Sequence, residues 1–267
     1  MSISEIIQRE IDQYVSRTPM SAKMQQNAEL FLPGGSSRGT AYFDPYPHFI
    51  EKGEGHYIID VDGNKYLDFM INATSLILGH SNSNVASVVK DQADKGLAFS
   101  GPTDSQVRLA KLLTDRIPSV ETIRFTNSGT EGTMMAIRAA REFTGRSKIV
   151  KIEGGYHGTH EDVAVSVYPN KDHLDPIQTA PIPEYSNQPS SVLDNVIVVP
   201  YNDIEVTNQM IRAESKNISC VIIEPVVSSF GYTPANVDYL QFVRDITTEL
   251  GIVLIYDEVQ SFRVSPG

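Results

Sequence analysis

The sequence is poor in several residue types, and each shortage excludes a class of protein. Cys220 is the only cysteine among 267 residues, which argues against a disulfide framework and against a thiolate metal site. The six histidines show no HExxH motif or comparable ligand spacing. Basic residues number 22 against 33 acidic ones, for a net charge of -11, which argues against a nucleic-acid or anionic-membrane surface. We therefore expect no bound metal, no nucleic-acid partner and no membrane partner.

Long apolar runs are missing as well. No segment holds 18 consecutive apolar residues, so we expect no transmembrane span. Residues 1–17 are charged throughout and place isoleucines at helical spacing, which predicts a short amphipathic helix packed on the body or on a partner subunit. Nothing near this segment resembles a signal peptide, and we expect a cytoplasmic protein.

From about Thr122 onward, short apolar runs alternate with helical patterns. The runs, in chain order, are TIRF, KIVKI, NVIVVP, SCVIIEP and IVLIYDE. Such alternation, with strands that are almost continuously apolar, is typical of a parallel sheet covered by helices. Upstream, the dipeptide Asp62-Gly63 predicts a hairpin turn, and helices are predicted at about 84–95 and within 100–118.

Polar motifs follow these runs, at the carboxyl ends of strands where ligands of open α/β sheets bind. Residues 126–131, Thr-Asn-Ser-Gly-Thr-Glu, open a helix. Free N–H groups and hydroxyls there favour a phosphate, although the same residues also suit an ordinary N-cap. Tyr156 and His157 lie among three glycines, which suits a ring that stacks on a planar ligand. A turn with a partly buried tyrosine fits equally well.

Two carboxylates end the later runs. Glu224 precedes Pro225 and suits either a ligand contact or a cap. Asp257 ends the last run, and a buried carboxylate needs a cationic partner, such as a protonated ring nitrogen. An Asp that binds Mg²⁺ in an α/β ATPase is the competing interpretation, but the sequence contains no GxxxxGK[ST] loop. A phosphate anchor, a stacking ring and an acid for a ring nitrogen together predict pyridoxal phosphate (PLP) as cofactor.

Four motifs carry a specific resemblance. The chain resembles the class III PLP-dependent aminotransferase family, and within it the branch that contains glutamate-1-semialdehyde 2,1-aminomutase. The motifs are FTNSGTEGTMMAIRAAREFTGR, GGYHGTHED, IIEPV and LIYDEVQSFR. The resemblance implies an α/β fold of PLP-dependent transferase type I, with a mostly parallel sheet flanked by helices. It also implies that residues 1–75 contribute to a small domain and dimer contacts, and that residues 76–267 form an incomplete PLP-binding domain.

The resemblance implies roles for the first two motifs. Ser128, Gly129 and Thr130 are implied to bind the cofactor phosphate. Tyr156 is implied to stack on the pyridine ring, with His157 beside it.

The later motifs acquire roles in the same way. Asp257 is implied to pair with the ring nitrogen as a catalytic residue, with Val259 on the opposite ring face and Glu224 in the surrounding shell. Arg38 is a candidate for a substrate carboxylate, because a bidentate Arg suits that task. Ser228-Ser229 replaces the Gly-Asn of the aminomutase, a departure on the substrate side that leaves aminotransferase and aminomutase activities both open.

The resemblance implies a homodimer that transfers an amino group between an amino donor and an aldehyde or keto acid. It also implies a Schiff-base lysine on a later strand, whereas no lysine follows Lys216. We therefore expect an N-terminal portion of such an enzyme that is inactive by itself. The alternative is a non-catalytic homologue that binds PLP or dimerises. Lys151, nearest the tyrosine motif, is expected to point into the layers flanking the sheet, away from the site.

Overall fold

The chain folds into two units, residues 1–102 and residues 103–267. The structure is a computed structural model, and it describes residues 2–37, 41–168, 180–229 and 231–262. The predicted domain division after residue 75 stays a prediction.

Among the described residues, the N-terminal unit combines three α-helices and a short 3-10 helix (Pro33–Gly35) with a small antiparallel sheet. Its elements are α1 (Ile3–Arg17), α2 (Pro19–Ala28), β1 (Ile50–Glu54), β2 (Tyr57–Asp60), β3 (Lys65–Leu67) and α3 (Ser83–Ala93). Helix α1 begins with a capping box, in which Ser2 Oγ accepts from Glu5 N and the Glu5 carboxylate accepts from Ser2 N. The predicted amphipathic helix is confirmed, and its isoleucines at positions 3 and 7 are exposed.

The predicted hairpin at Asp62-Gly63 is also confirmed, because β2 and β3 pair antiparallel on either side of this turn. The buried Asp60 carboxylate stabilises the turn by accepting hydrogen bonds from Asn64 N (2.7 Å) and Tyr66 Oη (2.8 Å). Asp62 accepts hydrogen bonds from the first-turn N–H groups of α2. One short turn therefore links the sheet of this unit to a helix of the same unit.

The C-terminal unit contains the parallel sheet. Its elements are α4 (Asp104–Arg116), α5 (Gly129–Thr144), β4 (Lys148–Ile152), α6 (Ser190–Leu193), β5 (Val196–Val199), α7 (Ile204–Glu214), β6 (Ile218–Ile223), β7 (Val226–Val227), β8 (Thr233–Pro234), α8 (Val237–Leu250) and β9 (Val253–Tyr256). The strand order of the main sheet is β5-β4-β6-β9, and all three pairings are parallel. The predicted parallel sheet is thus confirmed.

Helices cover both faces of this sheet, which explains why its strands are apolar without alternation. Helices α7 and α8 pack on one face, against side chains that include Val150, Ile152 and Val221. Helix α5 packs on the other face, together with residues 163 and 165 and against Ile149 and Ile222. Successive residues of β4 therefore contribute to different cores, as the alternation of side chains along a strand requires.

The prediction of a strand at residues 122–125 is wrong. No strand forms there, and β5 and β9 end the sheet among the described residues. An apolar run becomes a strand only where a neighbouring strand completes its hydrogen bonds. Phe125 retains 38% of its accessible surface, so the run is not buried as a sheet strand would be.

Two further findings concern the described part of the chain. No helix there combines the length and apolar content needed to cross a membrane. Among the same residues, no group of three or more His, Cys, Asp and Glu side chains is placed to hold a metal ion.

Candidate active site

The carboxyl ends of three parallel strands bring the predicted site residues to one edge of the sheet. Glu224 follows β6 directly, and Asp257 follows β9. The backbone ladder continues one residue beyond β9, because Asp257 N donates to Ile223 O at 2.8 Å. The turn at Tyr156 and His157 leaves the end of β4, which is the other neighbour of β6.

A buried hydrogen bond joins two of these residues. His157 Nδ1 lies 2.9 Å from Asp257 Oδ2, and the two side chains are 0% and 5% exposed. Asp257 Oδ1 accepts a second hydrogen bond, from Val259 N at 3.1 Å. The carboxylate is therefore held from both sides.

The protonation of His157 follows from its surroundings. Burial lowers the pKa of His157 below its ordinary value, although the hydrogen bond and charge of Asp257 oppose this effect. A neutral ring bonded to a carboxylate carries its proton on Nδ1 and donates it. The other ring nitrogen, Nε2, is buried and has no hydrogen-bond partner among the described residues.

Helix α5 begins at this same edge. Ser128 is its N-cap, and Ser128 Oγ accepts from Glu131 N at 3.2 Å. The Glu131 carboxylate in turn accepts from Asn127 N at 2.7 Å. Ser128 Oγ thus acts as an N-cap, as one interpretation of this motif predicted. The cap does not exclude an anion, because the first N–H groups of a helix have no intrahelical acceptor.

Two glycines allow close packing around the start of α5. A methyl group on Gly129 would lie 3.0 Å from a methyl carbon of Val259, so the helix start contacts the segment that follows Asp257. Gly158 adopts φ +107°, and a methyl group there would lie 2.6 Å from Thr130 Oγ1. Thr130 Oγ1 also accepts from Thr159 N at 3.4 Å. The helix start is thus enclosed by the two segments that carry His157 and Asp257.

Glu224 holds the backbone of the tyrosine motif. Its Oε2 accepts from Tyr156 N at 3.1 Å, and its Oε1 accepts from Ser228 Oγ at 3.3 Å. The side chain is buried, and burial raises the pKa of Glu224 to about 7. Tyr156 is 42% exposed, so the residue is partly accessible to a ligand.

Part of the predicted site lines one cavity. Its volume is about 390 Å³, and its lining includes Ser128, Gly129, Asp257 and Val259. The remaining predicted residues do not line this cavity, although hydrogen bonds connect three of them to the same strand ends. They are Thr130, Tyr156, His157 and Glu224. Arg38 lies outside the described residues.

Sequence reasoning missed two side chains that assemble the site. Thr133 Oγ1 donates to His157 O at 2.7 Å and so ties α5 to the histidine turn. Ser228, considered only as a departure on the substrate side, donates to Glu224. Thr133 could have been found from its position one turn into the helix that follows Ser128-Gly129-Thr130. Nothing in the sequence indicated the role of Ser228.

Comparison with known proteins places the chain in a family. The family model described as aminotransferase class-III matches residues 40–262. Glutamate-1-semialdehyde 2,1-aminomutase from Methanobrevibacter smithii is 42% identical over 248 residues, which are 92% of this chain and 57% of that protein. The enzyme of the same name from Bacillus subtilis is 40% identical over 243 residues, which are 90% of this chain and 55% of that protein.

Solved structures agree with this result. An omega-transaminase from Sphaerobacter thermophilus is 42% identical with a TM-score of 0.87, over 92% of this chain and 56% of that one. A transaminase solved with PLP bound is 37% identical with the same TM-score, over 93% and 57%. These likenesses confirm the predicted fold of PLP-dependent aminotransferases. The chain spans little more than half the length of the relatives it matches, and over that span it belongs to the class-III aminotransferase family.

Proposed function

We propose that the whole protein transfers an amino group between an amino donor and an aldehyde or keto acid, with PLP as cofactor. The activity is of the aminotransferase or 2,1-aminomutase type. Two observations support this proposal, namely membership of a PLP-dependent family and the names of relatives of both types at about 40% identity. Because the chain covers 57% of the first of these relatives, the activity is assigned to the whole protein.

The buried His157–Asp257 pair is the observation that carries the proposal. An anionic carboxylate at a strand end, held by a neutral histidine and by a backbone N–H, suits a protonated ring nitrogen. Bound PLP supplies an electron sink, which depends on the proton at its ring nitrogen. In this proposal Asp257 keeps that proton in place, and His157 orients Asp257.

The start of α5 fits the phosphate. It offers hydroxyls from Ser128 and Thr130 and the free N–H groups of a helix N-terminus, of which Gly129 is the first residue. We assign the two ring faces to Tyr156, whose ring is partly exposed, and to Val259, which packs beside Gly129.

The remaining residues and partners are assigned by the same proposal. Glu224 holds the Tyr156 backbone, and Arg38 binds a substrate carboxylate. Residues 1–75 contribute to a small domain and to the contacts of a homodimer, which the exposed isoleucines of α1 favour. Residues 76–267 belong to the cofactor-binding domain, and the protein works in the cytoplasm on small-molecule substrates.

Binding of pyridoxamine 5'-phosphate to the 267-residue chain tests the cofactor site. This ligand carries no aldehyde, so it does not react with the ten lysines of the sequence. Calorimetry should show tighter binding than that of pyridoxamine, which lacks the phosphate. The double variant Ser128→Ala, Thr130→Ala should lose about tenfold or more, because each hydrogen bond to a charged group contributes roughly 1.5–3 kcal/mol.

The matched control is Thr144→Ala, at the other end of the same helix, where Thr144 Oγ1 donates to Ala140 O. It should bind the phosphate ligand like the parent. Equal affinity for the two ligands, or an unchanged double variant, would refute the phosphate assignment. For amino-group transfer, Asp257→Asn in the whole protein should lower turnover by orders of magnitude, and near-parental turnover would remove Asp257 from its role.

A further inference from the structure

Lys151 is a buried charge that the proposed chemistry does not use. It is 0% exposed and lies within the sheet, on β4. Side chains alternate along a strand, so Lys151 shares the face of Ile149, which packs against α5 and against residues 163 and 165. It points into the flanking layer, as expected from the sequence.

Two backbone carbonyls receive the ammonium group. Lys151 Nζ donates to Val165 O at 2.6 Å and to Ile152 O at 3.2 Å. The first bond crosses from β4 to the segment 163–167, in which Val163, Val165 and Ser166 are almost completely buried. A single side chain thus joins the end of the strand to the segment packed over it.

The same segment contacts the turn of the candidate site. Gly154 N donates to Ser166 O at 2.8 Å, and Gly154 is two residues before Tyr156. Gly154 O accepts a hydrogen bond from Ser229 Oγ. The path from Lys151 to the tyrosine motif therefore consists of two hydrogen bonds, to Val165 O and from Gly154 N to Ser166 O, joined by the peptide bond between Val165 and Ser166.

Electrostatic interactions with nearby carboxylates favour the charged form of Lys151. A buried ammonium without compensation is costly, and three carboxylates lie near enough to favour it, those of Glu153, Glu184 and Glu224. Burial nevertheless lowers the pKa of Lys151 to about 8. The group is therefore charged at neutral pH and loses its charge a little above it. The positive charge of Lys151 also helps to keep His157 neutral.

We propose that Lys151 is a positioning residue, which fixes the turn carrying Tyr156 and His157 by fastening segment 163–167 against Gly154. The effect on the turn stands by itself, whereas any effect on a ligand rests on the proposed function. A lysine that only filled the core would lower the stability of the whole unit and would leave this turn no more open than the sheet.

Hydrogen exchange on the 267-residue chain distinguishes these two roles. Lys151→Met keeps the length and apolar stem of the side chain but removes its donors and its charge. We expect exchange in residues 153–157 to become about tenfold faster or more, as the loss of a charged hydrogen bond predicts. Strand β6 should keep its protection. Lys148→Met is the matched control on the same strand, since Lys148 is only half-buried and pairs with Glu214 at 3.5 Å.

A second measurement needs no variant. Raising the pH of the parent protein from about 7.5 to about 9.5 neutralises Lys151. Hydrogen exchange at residues 153–157 should then accelerate by more than exchange in β6, where the change reflects only the chemical effect of pH. The other titratable groups near Lys151 are Glu153, Glu184, Glu224 and His157. Burial lowers the pKa of His157 and raises the pKa of Glu153 and of Glu224, the latter to about 7.

The outcomes separate cleanly. Parental exchange at 153–157 in Lys151→Met, or equal acceleration in β6, overturns the positioning role. If the Met variant does not fold, absence of excess acceleration at high pH in the parent overturns it. Pyridoxamine 5'-phosphate should bind Lys151→Met about tenfold more weakly than Lys148→Met. Failure of the parent to bind this ligand would refute the proposed cofactor site in this chain and leave the exchange result standing.

Discussion

Replacement of His157 by two different residues tests the central contact of the site. His157→Leu removes the donor to Asp257, and His157→Asn restores an N–H group close to the position of Nδ1. A hydrogen bond from a neutral donor to a charged group contributes roughly 1.5–3 kcal/mol, and the bond here is 2.9 Å long with both side chains buried. We expect a loss of this size in the free energy of unfolding for the Leu variant and about half of it for the Asn variant.

The order of these two variants decides the argument. Leucine is the more apolar side chain, so apolar burial alone predicts that it is the milder replacement at a fully buried position. The hydrogen bond predicts the reverse. Urea unfolding followed by far-UV circular dichroism measures both, since the sequence has no tryptophan to serve as a fluorescence probe. A Leu variant as stable as the Asn variant, or more stable, would show that the hydrogen bond to Asp257 contributes no more than apolar burial at this position.

The same variants test the protonation of His157. Its pKa is lowered in the folded protein, so the unfolded chain binds the proton more readily. Stability from this group is complete above the ordinary value of 6.5 and is lost as the pH falls below it, by at most about 1.4 kcal/mol per pH unit for one proton. His157→Asn should lack this slope. His160, whose pKa burial also lowers, remains in every variant, so the part of the slope that it causes persists.

Three further predictions concern other positions of the same unit. Gly158→Ala should destabilise the fold by about 1–3 kcal/mol more than Gly145→Ala in urea unfolding, because both residues have positive φ but only Gly158 faces Thr130 closely. Glu224→Gln should flatten the pH dependence of stability between about 4.5 and 7, since the raised pKa of Glu224 makes the folded parent lose stability as pH rises through that range. Cys220, fully buried and with its pKa raised to about 11, should react with a thiol reagent only after unfolding, and rapid native labelling would contradict this.

The parallel sheet and its helices could be predicted because periodicity and strand ends are local signals. The runs before Glu224 and Asp257 are strands β6 and β9, of which β6 is buried throughout and β9 only partly. The run at residues 122–125 has the same local signal and forms no strand. Whether an apolar run becomes a strand depends on a neighbour that is distant in sequence, and single-sequence patterns do not contain that neighbour.

In the candidate site, too, local features could be predicted from the sequence and long-range contacts could not. The sequence indicated which residues follow the strands, including His157 and Asp257. It did not indicate that these two residues, 100 positions apart, share a hydrogen bond. It also did not reveal that Lys151 is linked to the tyrosine turn through Val165. Such contacts depend on the order of strands in the sheet, which is β5-β4-β6-β9 rather than the order of the chain.

The hydrogen bond from Asp257 N to Ile223 O has a consequence for how the site comes into being. It extends the register in which Ile223 lies opposite Tyr256, and a slip of one residue would turn Asp257 to the opposite face of the sheet. The carboxylate is therefore in position only after β9 has docked in one alignment. A molecule that binds Asp257 binds this alignment alone, and by mass action it stabilises the docked edge of the sheet. Ligand affinity at this site and the local folding equilibrium of β9 are therefore thermodynamically linked, so that a change in either one shifts the other.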